Sequence, residues 1–172
     1  MNPVLIGGAM AIFGLLSNRS PISYAPGSDM SGNIDAFLAV ILEGESSHNY
    51  KAIVGGGSFS DYSKHPGLNA NGSINKAFMP GAPSHACGGY QFQPGTWKRC
   101  ADALHLPDFS PDSQDRAAVY LLQSHGAYDA IVNGDVAIAA DLLKSEWEMF
   151  QTSRWNSAAV EKAFTEYGGT LA

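Results

Sequence analysis

The sequence predicts an α+β fold, mostly α: a helical domain with one small β-hairpin, preceded by an N-terminal hydrophobic helix. Three observations carry this expectation. Ile34, Phe37, Leu38, Ile41 and Leu42 fall at i, i+3, i+4, i+7 and i+8, one apolar stripe at helical spacing. The second half of the chain repeats that periodicity between recognisable helix starts and stops. Only Tyr50 to Asp61 gathers β-branched and aromatic residues around a glycine run, Gly55 to Gly57, the pattern of a short hairpin.

Composition bounds the rest. At 172 residues the chain has the size of one domain, long enough to fold without metal or disulfide staples. An apolar share of 45% and a charged share of 15% exclude wholesale disorder. The net charge is −6, and ten Lys and Arg spread over the chain offer no basic stripe for nucleic acid. Cys87 and Cys100 are too few for a disulfide scaffold or a four-cysteine zinc site.

The elements follow in order. Residues 4–16 are apolar and uncharged. The run is shorter than the roughly 20 residues of a bilayer-spanning helix and suits the core of a signal peptide in length. No Lys or Arg precedes it and no clear small-x-small cleavage site follows. It reads equally as a membrane or export element and as a terminal helix packed on a neighbouring protein. Residues 18–32, rich in Ser, Pro and Gly, read as a linker between this N-terminal segment (1–17) and a domain spanning 33–172. Asn33 is the expected N-cap of the first helix, which runs into Glu43-Gly44. Residues 63–89 read as one long loop, a length usually associated with function. Pro94 to Leu104 is a short helix. Ser110-Pro111-Asp112 supplies a cap, a proline at N1 and an acidic first turn for a helix to Ser124. Asp135 to Phe150 and Asn156 to Tyr167 complete the set, the latter closed by Gly168.

Several chemistries find little support. No histidine pair has the spacing of a zinc protease, and His85-x-Cys87 is a weak local pair, so no metal or other cofactor is expected. Cys87 followed by two glycines leaves room for a Cys–His nucleophile, but no third, orienting member is evident. Gly55-Gly56-Gly57 lacks the Lys and Ser/Thr of a phosphate loop.

The carboxylates are more informative. Glu43 sits where an amphipathic helix stops, just ahead of the hairpin. Desolvated there, a carboxyl holds its proton toward neutral pH and serves as a general acid. Glu45, two residues on, points away from Glu43 if the turn persists, so only one of the two enters a cleft. Tyr90, Gln91 and neighbouring polar residues suit a sugar, whose ring faces meet aromatic rings and whose hydroxyls and acetamido groups meet amides.

Several motifs occur in one order: Phe37 to Gly44; Ile53-Val54-Gly55-Gly56 through Phe59-x-Asp61-Tyr62-Ser63-x-His65-Pro66; Gly89-Tyr90-Gln91; and Asp108-Phe109-Ser110-Pro111-x-Ser113-Gln114-Asp115. Together they resemble the lambda-phage endolysin family, lytic transglycosylases with a lysozyme-like fold. The resemblance implies cleavage of peptidoglycan glycan strands between N-acetylmuramic acid and N-acetylglucosamine with a 1,6-anhydro product. It implies Glu43 as the catalytic acid, and Asp61, Tyr62, Gly89, Tyr90 and Gln91 as substrate-binding residues. A muramidase would need a second carboxylate about 5–9.5 Å away, for which Asp61 is the candidate. Leu42 departs from the family, which has a small polar residue before its Glu. The N-terminal segment has no counterpart there. It implies delivery to the host periplasm or inner membrane, or attachment to a virion, through residues 4–16.

Overall fold

The computed structural model describes residues 29–172, side chains from residue 32; residues 4–16 and most of the expected linker lie outside the described residues. Six α-helices follow: α1 (Asp29–Ser46), α2 (Pro94–Leu104), α3 (Pro111–Ser124), α4 (Tyr128–Val132), α5 (Val136–Leu142) and α6 (Ser157–Glu166). The fold is mostly helical.

α1 is the centre of the domain. Ile34, Ala36, Phe37, Leu38, Val40, Ile41 and Leu42 are all buried, so the helix is wrapped on most sides rather than along one stripe. It packs on α3, α4 and α6. Phe37 stacks on Phe150 at 5.9 Å and meets Phe164 edge-on at 6.4 Å. The helix starts at Asp29, four residues before the expected cap, so the end of the expected linker is helical. Asn33 does other work. Its amide donates to the carbonyls of Val132 (3.1 Å) and Thr170 (3.2 Å), and its oxygen accepts the Thr170 N–H (2.8 Å), tying α1 to the C-terminal residues.

The expected hairpin reduces to isolated bridges, Ala52 with Ser58 and Ile53 with Cys87, with no extended strand among the described residues. The left-handed backbone at Gly55, Gly56 and Gly57, with φ of 79°, 108° and 98°, turns the chain too tightly for a longer ladder. The segment 63–89 is a loop of turns and single bridges, as expected.

α2 and α3 have the bounds expected from their caps. Pro94 and Pro111 open them, and the Ser110 hydroxyl accepts the Ser113 N–H at 3.4 Å. The single helix expected over 135–150 does not form. α5 ends at Leu142, and Glu148–Gln151 and Ser153–Trp155 are 3₁₀ turns. Trp147 explains the break: its indole N–H reaches the Tyr90 carbonyl at 3.0 Å, which takes its backbone to φ −119°, ψ 110°. α6 is capped by Asn156, whose oxygen accepts the Ala159 N–H at 3.1 Å.

Candidate active site

A cleft of about 850 Å³ opens at the C-terminal end of α1. One wall is the glycine turn and its flanks, residues 52–57. Another is the loop before α2, including Ser84, Gln91 and Gln93. The chain after α5 closes it with Glu146, Trp147 and Glu148. Among the described residues three carboxylates line it and no Lys or Arg does.

Helix geometry decides which acid enters. Two residues along an α-helix rotate a side chain by about 200°, nearly to the opposite side. Gly44, between the two acids, faces the core so closely that a Cβ would lie 2.3 Å from Met149 Cε. Glu45 lines the cleft. Burial pushes its carboxyl up from 4.5 to about 7; a backbone hydrogen bond with Met149 opposes this and the charge of Glu148 adds to it. Glu43 does not line the cleft. Its Oε2 accepts the Tyr167 hydroxyl at 2.7 Å, and that hydroxyl lies 2.8 Å from His48 Nε2, in an exposed cluster. The expectation that Glu43 occupies the cleft is therefore corrected, and the acid there is Glu45.

The other expected site residues divide. Gln91 lines the cleft. Its backbone is left-handed, φ 50°, a conformation costly for a residue with a Cβ, and its amide donates to the Gly88 carbonyl at 2.8 Å. Gly89 and Tyr90 are buried in the layer beneath. Tyr90 is only 1% exposed and so offers no ring face to a sugar. Tyr62 packs edge-on against Phe59 at 5.7 Å under the Lys51 ammonium, away from the cleft. Asp61 is exposed beside a separate, smaller cavity of about 210 Å³. There the hydroxyl and amide of Ser63 hold its carboxyl below the usual carboxylate range. Asp61 and Tyr62 are thus not brought to the cleft.

What the buried residues do is hold the walls. Gln114, fully buried, accepts the Gly89 N–H at 2.8 Å and donates to the carbonyls of Phe109 (2.8 Å) and Tyr50 (3.1 Å). Gly88 allows that approach, since a Cβ there would fall 2.3 Å from Gln114 Oε1. Asp115 Oδ1 accepts the hydroxyls of Tyr50 (2.6 Å) and Tyr90 (2.7 Å). Burial raises the Asp115 carboxyl despite those two bonds. His65 is fully buried: Gly67 N–H donates to Nδ1 (3.0 Å), so Nε2 carries the proton and donates to the Phe92 carbonyl (2.8 Å). Burial pushes its pKa from 6.5 to about 4. α3 and His65 together fix residues 88–92, the segment that presents Gln91.

Cysteine chemistry is disfavoured by the surroundings. Cys87 and Cys100 are free and buried, and burial pushes both thiols up to about 12, far from the thiolate a nucleophile needs. The structure does not support the alternative of a Cys87 nucleophile.

Nothing local in the sequence singles out Glu45 as the cleft acid or Glu146 and Glu148 as its companions. The Glu43/Glu45 pair was visible; the signal that could have chosen between them was Gly44, which the core needs small.

Comparison with known proteins matches residues 36–171 to the family described as Endolysin. The endolysin of Escherichia phage lambda is 33% identical over 129 residues, covering 72% of this chain and 78% of that protein. The endolysin of Escherichia phage P2 is 38% identical over 129 residues, covering 67% and 77%. Among solved structures, the lysozyme of bacteriophage lambda complexed with a chitohexasaccharide superposes with a TM-score of 0.68 at 29% identity, covering 82% of this chain and 97% of that one. A second lambda lysozyme structure gives 0.69 at 28% identity, with the same coverage. A family match along nearly the whole described length, with relatives 33% and 38% identical and an acid lining the cleft, places this protein in the endolysin family.

Proposed function

We propose that this protein is a peptidoglycan-degrading lytic transglycosylase and that Glu45 is its catalytic acid. The observation that carries the reading is the Glu45 carboxyl, desolvated in the cleft so that it holds its proton to about pH 7. The lambda lysozyme bound to a chitohexasaccharide supports a glycan strand as the occupant. With Glu45 as the acid the preceding residue is the small Gly44 rather than Leu42, and the following one is Ser46 rather than the Gly of the Glu43-Gly44 pair.

Protonated Glu45 donates its proton to the bridging oxygen between N-acetylmuramic acid and N-acetylglucosamine as the C1–O bond breaks. Positive charge develops at C1. The three carboxylates of the cleft, with no cation among its described lining residues, favour that charge. The muramoyl C6 hydroxyl then attacks C1 and returns its proton to the Glu45 carboxylate. The product is a 1,6-anhydro end, and no water is consumed. Gln91, at the cleft wall, is placed to hydrogen-bond sugar hydroxyls or acetamido groups. Asp61, the expected second carboxylate of a hydrolase, lies beside the other cavity, whereas Glu146 and Glu148 share the cleft with Glu45, and the products of digestion decide between transfer and hydrolysis.

The test is digestion of purified cell walls by wild type and Glu45→Gln, with products weighed by mass spectrometry. Anhydro ends, lighter by one water than reducing ends, are expected from the wild type and neither product from the variant. Reducing ends would make the enzyme a muramidase, and undiminished activity in the variant would remove Glu45 from the chemistry. Glu43→Gln is expected to stay active. We also propose that the enzyme acts on the wall from the host periplasm at lysis or entry, brought there by residues 4–16. Fractionation of cells expressing the full chain and a chain lacking residues 1–17 checks this: identical distribution of the two would oppose it.

A further inference from the structure

The side chain at the start of α2 serves the cleft rather than its helix. Gln93 occupies the N-cap position, directly before Pro94, yet makes no side-chain bond to α2. At the start of α3 the residue before the proline is Ser110, which does cap its helix. The Gln93 amide turns instead to the end of the long loop 63–89. Its Nε2 donates to Ser84 Oγ at 2.7 Å, and its Oε1 accepts the His85 N–H at 3.3 Å. Among the described residues these are the hydrogen bonds that reach Ser84 and His85 from outside that loop.

The connection continues along the cleft wall. Ser84 Oγ also accepts the Ala86 N–H at 3.3 Å, and the Ala86 carbonyl accepts the Val54 N–H of the glycine turn at 3.0 Å. Val54, Ser84, Ala86 and Gln93 all line the cleft. A hydroxyl oxygen accepts two hydrogen bonds and donates one. With both acceptor sites of Ser84 taken from within the protein, its proton is left for an acceptor in the cleft, such as a sugar hydroxyl or an acetamido oxygen. We propose that Gln93 is a positioning residue for glycan binding: its amide ties residues 84–86 to the start of α2 and so aims the Ser84 hydroxyl at the strand. The inference rests on the cleft taking a glycan, and not on which acid cuts it. Gln93 is exposed, so its two bonds matter more for the arrangement of the wall than for the stability of the fold.

The experiment compares wild type, Gln93→Ser, Ser84→Ala and the double variant. Gln93→Ser gives α2 the Ser-Pro start that α3 already uses, so its Tm should equal or exceed the wild-type value. On soluble glycan strands its KM should rise about fivefold with kcat unchanged, the effect of a wall in its binding arrangement about one-fifth of the time. The double variant should be no worse than Ser84→Ala, because Gln93 acts through that hydroxyl. Exchange of the His85 amide proton, followed by NMR without glycan, should quicken in Gln93→Ser. An unmoved KM in folded Gln93→Ser overturns the proposal, as do a lower kcat at unchanged KM, effects of the two substitutions that multiply, or unchanged exchange at His85. Wild type that leaves the strands uncut is a different failure, that of the glycan reading, and the exchange result then still decides whether Gln93 holds the wall.

Discussion

Replacing Glu45 by Gln tests the desolvation of the acid without reference to substrate. The Gln side chain keeps an oxygen to accept the backbone hydrogen bond from Met149 but never ionises. In the wild type the carboxyl has a pKa of about 7 when folded and 4.5 ordinarily. A carboxyl raised on folding gives stability that is fully present below the unfolded value and lost as pH rises through the folded one. Below pH 4.5, then, both proteins carry a neutral side chain and should be about equally stable. Between 4.5 and 7 the wild type must pay progressively to keep its carboxylate buried, and above about 8 the gap is complete. The full shift corresponds to about 3 kcal/mol. Glu45 keeps some contact with solvent, and screening reduces this to about 1.5 kcal/mol. A domain of this size translates that into a rise in Tm of about 4 °C for the variant at pH 8. Thermal or urea unfolding of both proteins from pH 4 to 9 is the assay. A variant that matches the wild type at pH 8, or that gains stability only in acid, would show that the carboxyl is solvated and refute the reasoning.

Three further outcomes follow from the walls of the cleft. His65 is buried neutral, so stability should fall as pH drops from 6.5 toward 4; His65→Ala should cost about 2–4 kcal/mol at neutral pH and flatten that fall, measured by urea unfolding against pH. Asp115→Ala strands the hydroxyls of Tyr50 and Tyr90 and should cost about 2–4 kcal/mol, whereas Asp115→Asn, which keeps an accepting oxygen, should cost less; equal losses would show that the carboxylate's charge matters more than its acceptor. Cys87 and Cys100 should resist a thiol-labelling reagent in the native protein at pH 8 and react only after unfolding, as followed by intact mass.

Local signals were readable in the sequence where they are local in cause. Pro94, Pro111 and the Ser110 cap set the bounds of α2 and α3 through their own backbone chemistry, and the structure keeps those bounds. The helix expected over 135–150 failed because a distant carbonyl, that of Tyr90, captures the Trp147 indole, and no periodicity within the segment reveals that partner. The site shows the same division. That one of Glu43 and Glu45 enters a cleft follows from helical rotation alone. Which one enters depends on where Met149 and Trp155 sit against Gly44, a long-range fact. Tyr90 has a side chain of the type that suits a sugar platform. It is instead a support, because Asp115, twenty-five residues on, takes its hydroxyl.

The tie made by Asn33 shapes how the enzyme meets a polymer far larger than itself. It holds Thr170 beside the first turns of α1. Glu45 stands near the opposite end of the same helix, about 27 Å long for its 18 residues. Contacts made at the Asn33 end of the helix therefore leave the cleft at its other end open to a long strand.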